Sequence, residues 1–211
     1  MALFRIVEPE EGDIQIDDVS ILGVNLTQLR TNITISPQDP VMFSGTIRYN
    51  LDPFGLYSEE EVWESLERAQ LKNDIIEKFP LQLDHVLTER GENVSVGQKQ
   101  LICIARALLR NSKIIIMDEA TASVDSETDA KIQETIRKEF KNRTVLTIAH
   151  RLETIADYDM IIVMSQGEVA EYDSPAKLLD VNNTQYTMFK ALVDELGPER
   201  KDNFISLANK K

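Results

Sequence analysis

A single cysteine, Cys103, occurs in the 211 residues, so no intrachain disulfide can form, and the chain suits a reducing compartment. Basic residues are scarce beside acidic ones. Lys and Arg number 23 against 36 Asp and Glu, a formal charge of −13. That balance excludes general adhesion to nucleic acid or anionic lipid, although one local basic site would survive it. Long hydrophobic runs are missing too. The longest, Met160 to Met164, falls far short of the roughly 20 residues a membrane span needs. Met1-Ala2-Leu3-Phe4-Arg5 does not lead into the apolar stretch of a signal peptide. Read by itself, the sequence is that of a soluble, intracellular chain without a nucleic-acid partner. Core-forming material is plentiful, with 42% apolar residues, enough for one large domain or a core with a small appendage.

Short β-branched runs alternate with helical patterns. Asp13–Ile16, Asn32–Ile35, Lys113–Met117, Thr144–Ala149 and Met160–Met164 read as strands. The third is apolar throughout, as expected of a strand covered on both faces. Helical segments are predicted over Ser95–Leu109, Ser126–Phe140, Pro175–Asp180 and Gln185–Leu196. Strands alternating with helices imply a mainly parallel α/β sheet. The rhythm breaks between about Asp39 and Asn93, where turn signals at Asp39-Pro40 and Asp52-Pro53-Phe54-Gly55 precede a capping box, Ser58 to Glu61. The helix beyond it carries Val62, Leu66 and Ala69 on one face. No strand of the core type is visible here, so residues 39–94 read as an inserted helical subdomain. Residues 1–38 and 95–196 then form the α/β core, and the polar stretch 197–211 reads as a flexible tail.

Four places can carry chemistry. Asp118-Glu119 closes the most apolar strand, at the sheet edge where open α/β folds bind ligands. Asp118 suits the water shell of Mg²⁺, and Glu119 suits orienting or deprotonating a water aimed at a γ-phosphate. A solvated acidic strand end is the plainer alternative. His150 follows the strand Thr144–Ala149 and is placed by a parallel sheet on the same edge as Glu119, where an imidazole can contact phosphate. Gln38 follows the strand that stops at Pro37, and its amide offers an oxygen to Mg²⁺ or a donor to water. A surface histidine and a loop glutamine are the corresponding bland readings. Finally, Ser95-Val96-Gly97-Gln98 opens a helix with Ser95 as N-cap and Gln98 at the third position of a capping box. Such an end suits phosphate, and equally suits an ordinary well-capped helix.

Taken together, these stretches resemble the ABC ATPase family. Val94-Ser95-Val96-Gly97-Gln98 resembles its signature motif Leu-Ser-Gly-Gly-Gln, and Ile114–Glu119 resembles a Walker B strand with its catalytic glutamate. Ala120–Asp125 is similar to the D-loop, His150 to the switch histidine and Gln38 to the Q-loop glutamine. Order and spacing match from Leu3 to about Leu196. Asp52-Pro53-Phe54 and the valine at position 96 resemble the C subfamily, the multidrug-resistance-associated transporters, and more narrowly their second, C-terminal nucleotide-binding domain.

The resemblance implies a P-loop NTPase-like fold, ATP and Mg²⁺ as ligands, and ATP hydrolysis coupled to transmembrane export. Glu119, His150 and Gln38 are then catalytic, and Asp118 and Gln38 serve the metal. Ser95, Val96, Gly97, Gln98 and Asp125 serve nucleotide, in a head-to-tail sandwich with the transporter's other nucleotide-binding domain. The helical subdomain and Q-loop face the transmembrane domains, at the cytoplasmic face of a membrane. One departure stands out. None of the eight glycines begins the Walker A pattern Gly-x-x-x-x-Gly-Lys-Ser/Thr, and Leu3-Phe4-Arg5 resembles the end of the helix that follows that loop. The expectation is a domain lacking its N-terminal part and inactive alone, because the missing loop supplies most of the phosphate cradle. Two other classes stay open: a non-catalytic interaction protein, against which the complete set Gln38, Asp118, Glu119 and His150 speaks, and a soluble ABC-type ATPase, against which the lack of a long heptad pattern speaks.

Overall fold

The computed structural model describes residues 1–118, 124–180 and 187–209, divided between two compact units, Met1–Ile148 and Ala149–Lys211. The first unit opens with a ribbon of β1 (Gln15–Ile16) and β2 (Val19–Ser20), followed by α1 (Leu26–Asn32) and β3 (Ile33–Ser36). Then come β4 (Gly45–Thr46), α2 (Ile47–Leu51), α3 (Glu59–Arg68), α4 (Lys72–Lys78) and β5 (Val86–Leu87). The unit closes with α5 (Val96–Arg110), β6 (Ile114–Asp118), α6 (Ser126–Glu139) and β7 (Thr144–Ile148).

Its principal sheet has the order β3-β6-β7 and is parallel throughout, with Ile33 opposite Ile114 and Asp118 opposite Ile148. Isoleucine suits β6 because both of its faces are covered, and alternation along a strand sends successive side chains to opposite sides. Ile115 and Met117 enter the larger core with Leu101, Ile104 and Leu108 of α5 and Ile132 and Ile136 of α6. Ile114 and Ile116 pack on a smaller cluster built from Ile21, Leu29 and Ile33 with Leu3 and Phe4. Two arginines pin the first residues there. Arg5 donates to the carbonyls of Ile21 and Val24 at 3.2 and 3.0 Å, and Arg30 donates to those of Phe4 and Arg5, both at 3.1 Å.

The region 39–94, read from the sequence as a helical insertion, holds α2, α3 and α4 between turns. The Ser58 capping box forms in both directions, with Glu61 N–H donating to Ser58 Oγ at 3.2 Å and Ser58 N–H to Glu61 Oε2 at 2.8 Å. It also holds a short pair outside the principal sheet, β4 antiparallel to β5. Two residues each are too few to show an alternating pattern in sequence. Asp52 is buried in the turn before α3, where its carboxylate accepts the N–H groups of Leu56 and Tyr57 at 3.0 and 2.9 Å.

The second unit contains β8 (Ile161–Ser165), β9 (Glu168–Asp173), α7 (Pro175–Leu178), α8 (Met188–Asp194) and α9 (Pro198–Ala208). The sequence pattern sets 160–164 among the strands of a mainly parallel sheet. Instead β8 pairs antiparallel with β9. The connection is the two-residue turn Gln166-Gly167, both at positive φ (50° and 86°), which matches the twist of a tight hairpin. A glutamine in that first turn position gives little warning of it. The stretch 197–211, expected to be a flexible tail, is also corrected. Pro198 starts α9, and Phe204 lies fully buried against Phe189 with ring centroids 6.0 Å apart. The apolar positions Phe204 and Ala208, four apart, define the inward stripe. No described helix is long and apolar enough to cross a membrane.

Candidate nucleotide site

Gln38 stands two residues beyond β3 and is exposed. Asp118 ends the neighbouring strand β6 and is half-buried. Parallel pairing in the register Ser36 to Met117 brings both to the carboxyl rim of the sheet, through the ends of adjacent strands. Glu119 lies outside the described residues. β7, next in the sheet, ends at Ile148 opposite Asp118. His150 follows two residues later, is exposed, and belongs to the second unit.

The stretch Ser95–Gln98 takes the geometry its spacing predicts. Gln98 N–H donates to Ser95 Oγ at 3.1 Å, and Ser95 N–H donates to Gln98 Oε1 at 3.0 Å. Ser95 and Val96 are exposed at the start of α5, and Gly97 is buried. Gln98 also donates through Nε2 to Asp74 of α4 at 3.3 Å, so the glutamine is held from two sides. Asp125 caps α6 in the same manner, accepting the Thr128 N–H at 2.9 Å. That backbone bond, with the Thr128 hydroxyl, holds the Asp125 carboxyl below the usual carboxylate range.

The two capped helix starts lie side by side. A Cβ on Gly97 would meet Val124 Cγ1 at 3.2 Å as well as the Thr128 side chain, so only a glycine admits this approach. Between them opens a depression of about 360 Å³, lined by Ser95, Gln98, Asp125 and Thr128 with Lys78 and Lys131. Both lysines are engaged, Lys78 with Asp74 at 3.0 Å and Lys131 with Glu127 at 2.8 Å. The two capped helix N-termini thus open on one depression that carries both lysines and the carboxylates of Asp74, Asp125 and Glu127. Sequence analysis yields the Ser95 cap with its Gln98 partner, but not the Asp125 cap, Asp74 or Thr128. Thr128 stands three residues past its cap, where a signal existed, whereas Asp74 is distant in sequence and gave none.

As a metal site the described residues are sparse, since no group of three or more His, Cys, Asp and Glu converges among them. One carboxylate and one amide oxygen from adjacent strand ends suit a hard cation that keeps water and phosphate as its remaining ligands, the habit of Mg²⁺.

This arrangement is that of a nucleotide-binding α/β domain. The sequence profile of the ABC transporter family matches residues 1–122, and the chain belongs to that family. It is 52% identical over 190 residues to "ATP-binding cassette sub-family C member 3" of Mus musculus, covering 90% of this chain and 12% of that protein. It is 52% identical over 191 residues to "Multidrug resistance protein mrp-7" of Caenorhabditis elegans, covering 90% of this chain and 12% of the relative. Similarity to "ABC transporter C family member 9" of Arabidopsis thaliana reaches 51% over 194 residues, 92% of this chain and 13% of that one. These relatives place its affinity with the C subfamily. Among solved structures, a bacterial Atm1-family ABC exporter with ATP bound superposes with a TM-score of 0.84 at 37% identity, over 94% of this chain and 34% of that one. The P-loop NTPase-like α/β fold follows from that match. The chain therefore spans about an eighth of the length of its curated relatives.

Proposed function

We propose that this chain is the ATP-binding and ATP-hydrolysing domain of an exporter of the C subfamily, its second, C-terminal nucleotide-binding domain. In the complete protein it couples ATP hydrolysis to transport across a membrane, from the cytoplasmic face. The observation that supports this reading is the parallel pairing of β3 with β6 in the register Ser36 to Met117, with Gln38 following the one strand and Asp118 ending the other.

Mg²⁺, when bound, neutralises phosphate charge and polarises the γ-phosphate for attack. Asp118 holds its water shell through a carboxylate oxygen, and Gln38 offers an amide oxygen. Glu119 accepts the proton of, or orients, the attacking water, and His150 contacts the γ-phosphate. Ser95, Val96, Gly97 and Gln98 present hydroxyl, amide and backbone N–H groups to a nucleotide held mainly by the other nucleotide-binding domain, with Asp125 at the same junction. The Walker A pattern does not occur in residues 1–211.

The segment after Gln38 and the region 39–94 face the transmembrane domains in this reading. Exposed Val41, Phe43, Tyr49, Phe54 and Leu56 support it, because large apolar side chains concentrated on one short stretch mark a contact surface. The decisive experiment is Glu119→Gln in the exporter that carries this chain. Bound ATP should remain trapped and turnover should cease. Hydrolysis at the native rate would remove Glu119 from its assigned role.

A further inference from the structure

The backbone from Pro37 to Ser44 is irregular and belongs to no strand or helix. Its polar groups must find partners elsewhere. Two side chains supply partners for three of them. Asn50 of α2 is 2% exposed and grips Phe43 twice, accepting its N–H at 2.9 Å and donating to its carbonyl at 2.8 Å. Arg106 of α5 donates through Nη1 to the Val41 carbonyl at 2.9 Å. The same guanidinium donates through Nη2 to Asn50 Oδ1 at 3.0 Å and through Nε to the Asn50 carbonyl at 2.6 Å. Burial pulls its pKa below the ordinary arginine value. Between Val41 and Phe43, Met42 is buried and presses on Gly91, where an added Cβ would stand 2.8 Å from Met42 Cγ. The strand-to-helix segment is thus clamped on the helix that carries Ser95–Gln98 at its other end.

Resting on the reading that Gln38 serves ATP hydrolysis, we propose that Arg106 is a positioning residue. Its forked contacts fasten the segment following Gln38 to α5, so that the placement of Gln38 and that of the signature helix are set together. A planar, always-charged fork with several donors is suited to holding three acceptors at once, and lysine cannot reproduce it.

The test is a double-mutant cycle in the exporter that carries this chain, measuring Mg-ATP turnover. Arg106→Lys keeps the charge but loses the fork. It should lower kcat on the order of tenfold, the scale of a small misplacement, and leave the KM for ATP within about twofold. Gln38→Ala alone should lower kcat as well. The double variant should be no slower than Gln38→Ala, because Arg106 acts through the glutamine's segment. Multiplying losses would show a merely structural arginine and overturn the proposal. Should Arg106→Lys fail to assemble, Asn50→Asp, which loses the donor to the Phe43 carbonyl, enters the same cycle with the same expectation. Failure of both to assemble also overturns it. A wild-type exporter without hydrolysis, or a fully active Gln38→Ala, would defeat the functional reading itself, a result distinguishable because neither involves Arg106.

Discussion

Gly97 and Thr128 meet where α5 and α6 begin, and a Cβ built on Gly97 would stand 2.4 Å from the Thr128 γ-methyl carbon. The glycine is needed for space and not for backbone freedom. Gly97→Ala should therefore destabilise the first unit by about 1–3 kcal/mol, the usual cost of overpacking. Thr128→Ser removes the offending methyl while keeping the hydroxyl and should recover a large part of that loss. Urea midpoints of Gly97→Ala, Thr128→Ser and the double variant decide the matter, and an unchanged midpoint for Gly97→Ala would contradict the contact.

Phe204 tests whether the last helix is part of the folded second unit. Its ring is fully buried beside Phe189. Phe204→Ala should cost about 3–5 kcal/mol, as truncation of buried aromatics does. Amide hydrogen exchange over Met188–Ala208 should accelerate accordingly. No change in that segment would mean that the tail is loose after all.

Arg68 and Glu139 join the inserted region to α6, with Arg68 Nε donating to Glu139 Oε2 at 2.7 Å. The glutamate side chain is only 11% exposed and the arginine 36%. A cycle of Arg68→Ala and Glu139→Ala should give a coupling of about 1 kcal/mol, after allowance for screening of the exposed arginine. Because one partner is sheltered, most of that coupling should survive in 1 M salt. Additive single effects would exclude the pair as a tie.

Asp125 supplies a pH signature. Hydrogen bonding by Thr128 lowers its pKa from the ordinary 3.8, so the folded state favours the carboxylate. The stabilisation is complete above pH 3.8 and is lost as pH falls through the lowered folded value. Asp125→Asn should therefore be less stable than wild type near neutrality, with the gap closing in acid. Parallel denaturation curves at all pH values would argue against it.

Much of the site could be read from residue order. Ile114–Asp118 announces itself by being apolar to its end, and the caps at Ser58 and Ser95 follow local spacing rules that tertiary packing did not override. What escaped was non-local. Asn50 and Arg106 are 56 residues apart in sequence and meet only because α2 packs on α5. The hairpin of β8 and β9 depends on Gln166 taking a left-handed conformation that its side chain does not advertise. Phe204 and Ala208 sit in so polar a stretch that their common face looks incidental until Phe189 is seen opposite.

The pairing of β3 with β6 joins Ile33 to Ile114. About 80 residues separate those strands, so a ribosome working at 5–20 residues per second releases β3 roughly 4–16 seconds before β6 exists. In that interval Ile33 has its upstream neighbours Ile21 and Leu29 to pack on, but the backbone of β3 lacks the strand it pairs with in the finished sheet. The intervening helices can assemble around Val62, Leu66 and Leu87 in the meantime, but the sheet itself must wait. Pairing of the principal sheet is thus delayed until most of the first unit has been synthesised, so of the described strands β3 waits longest for its partner.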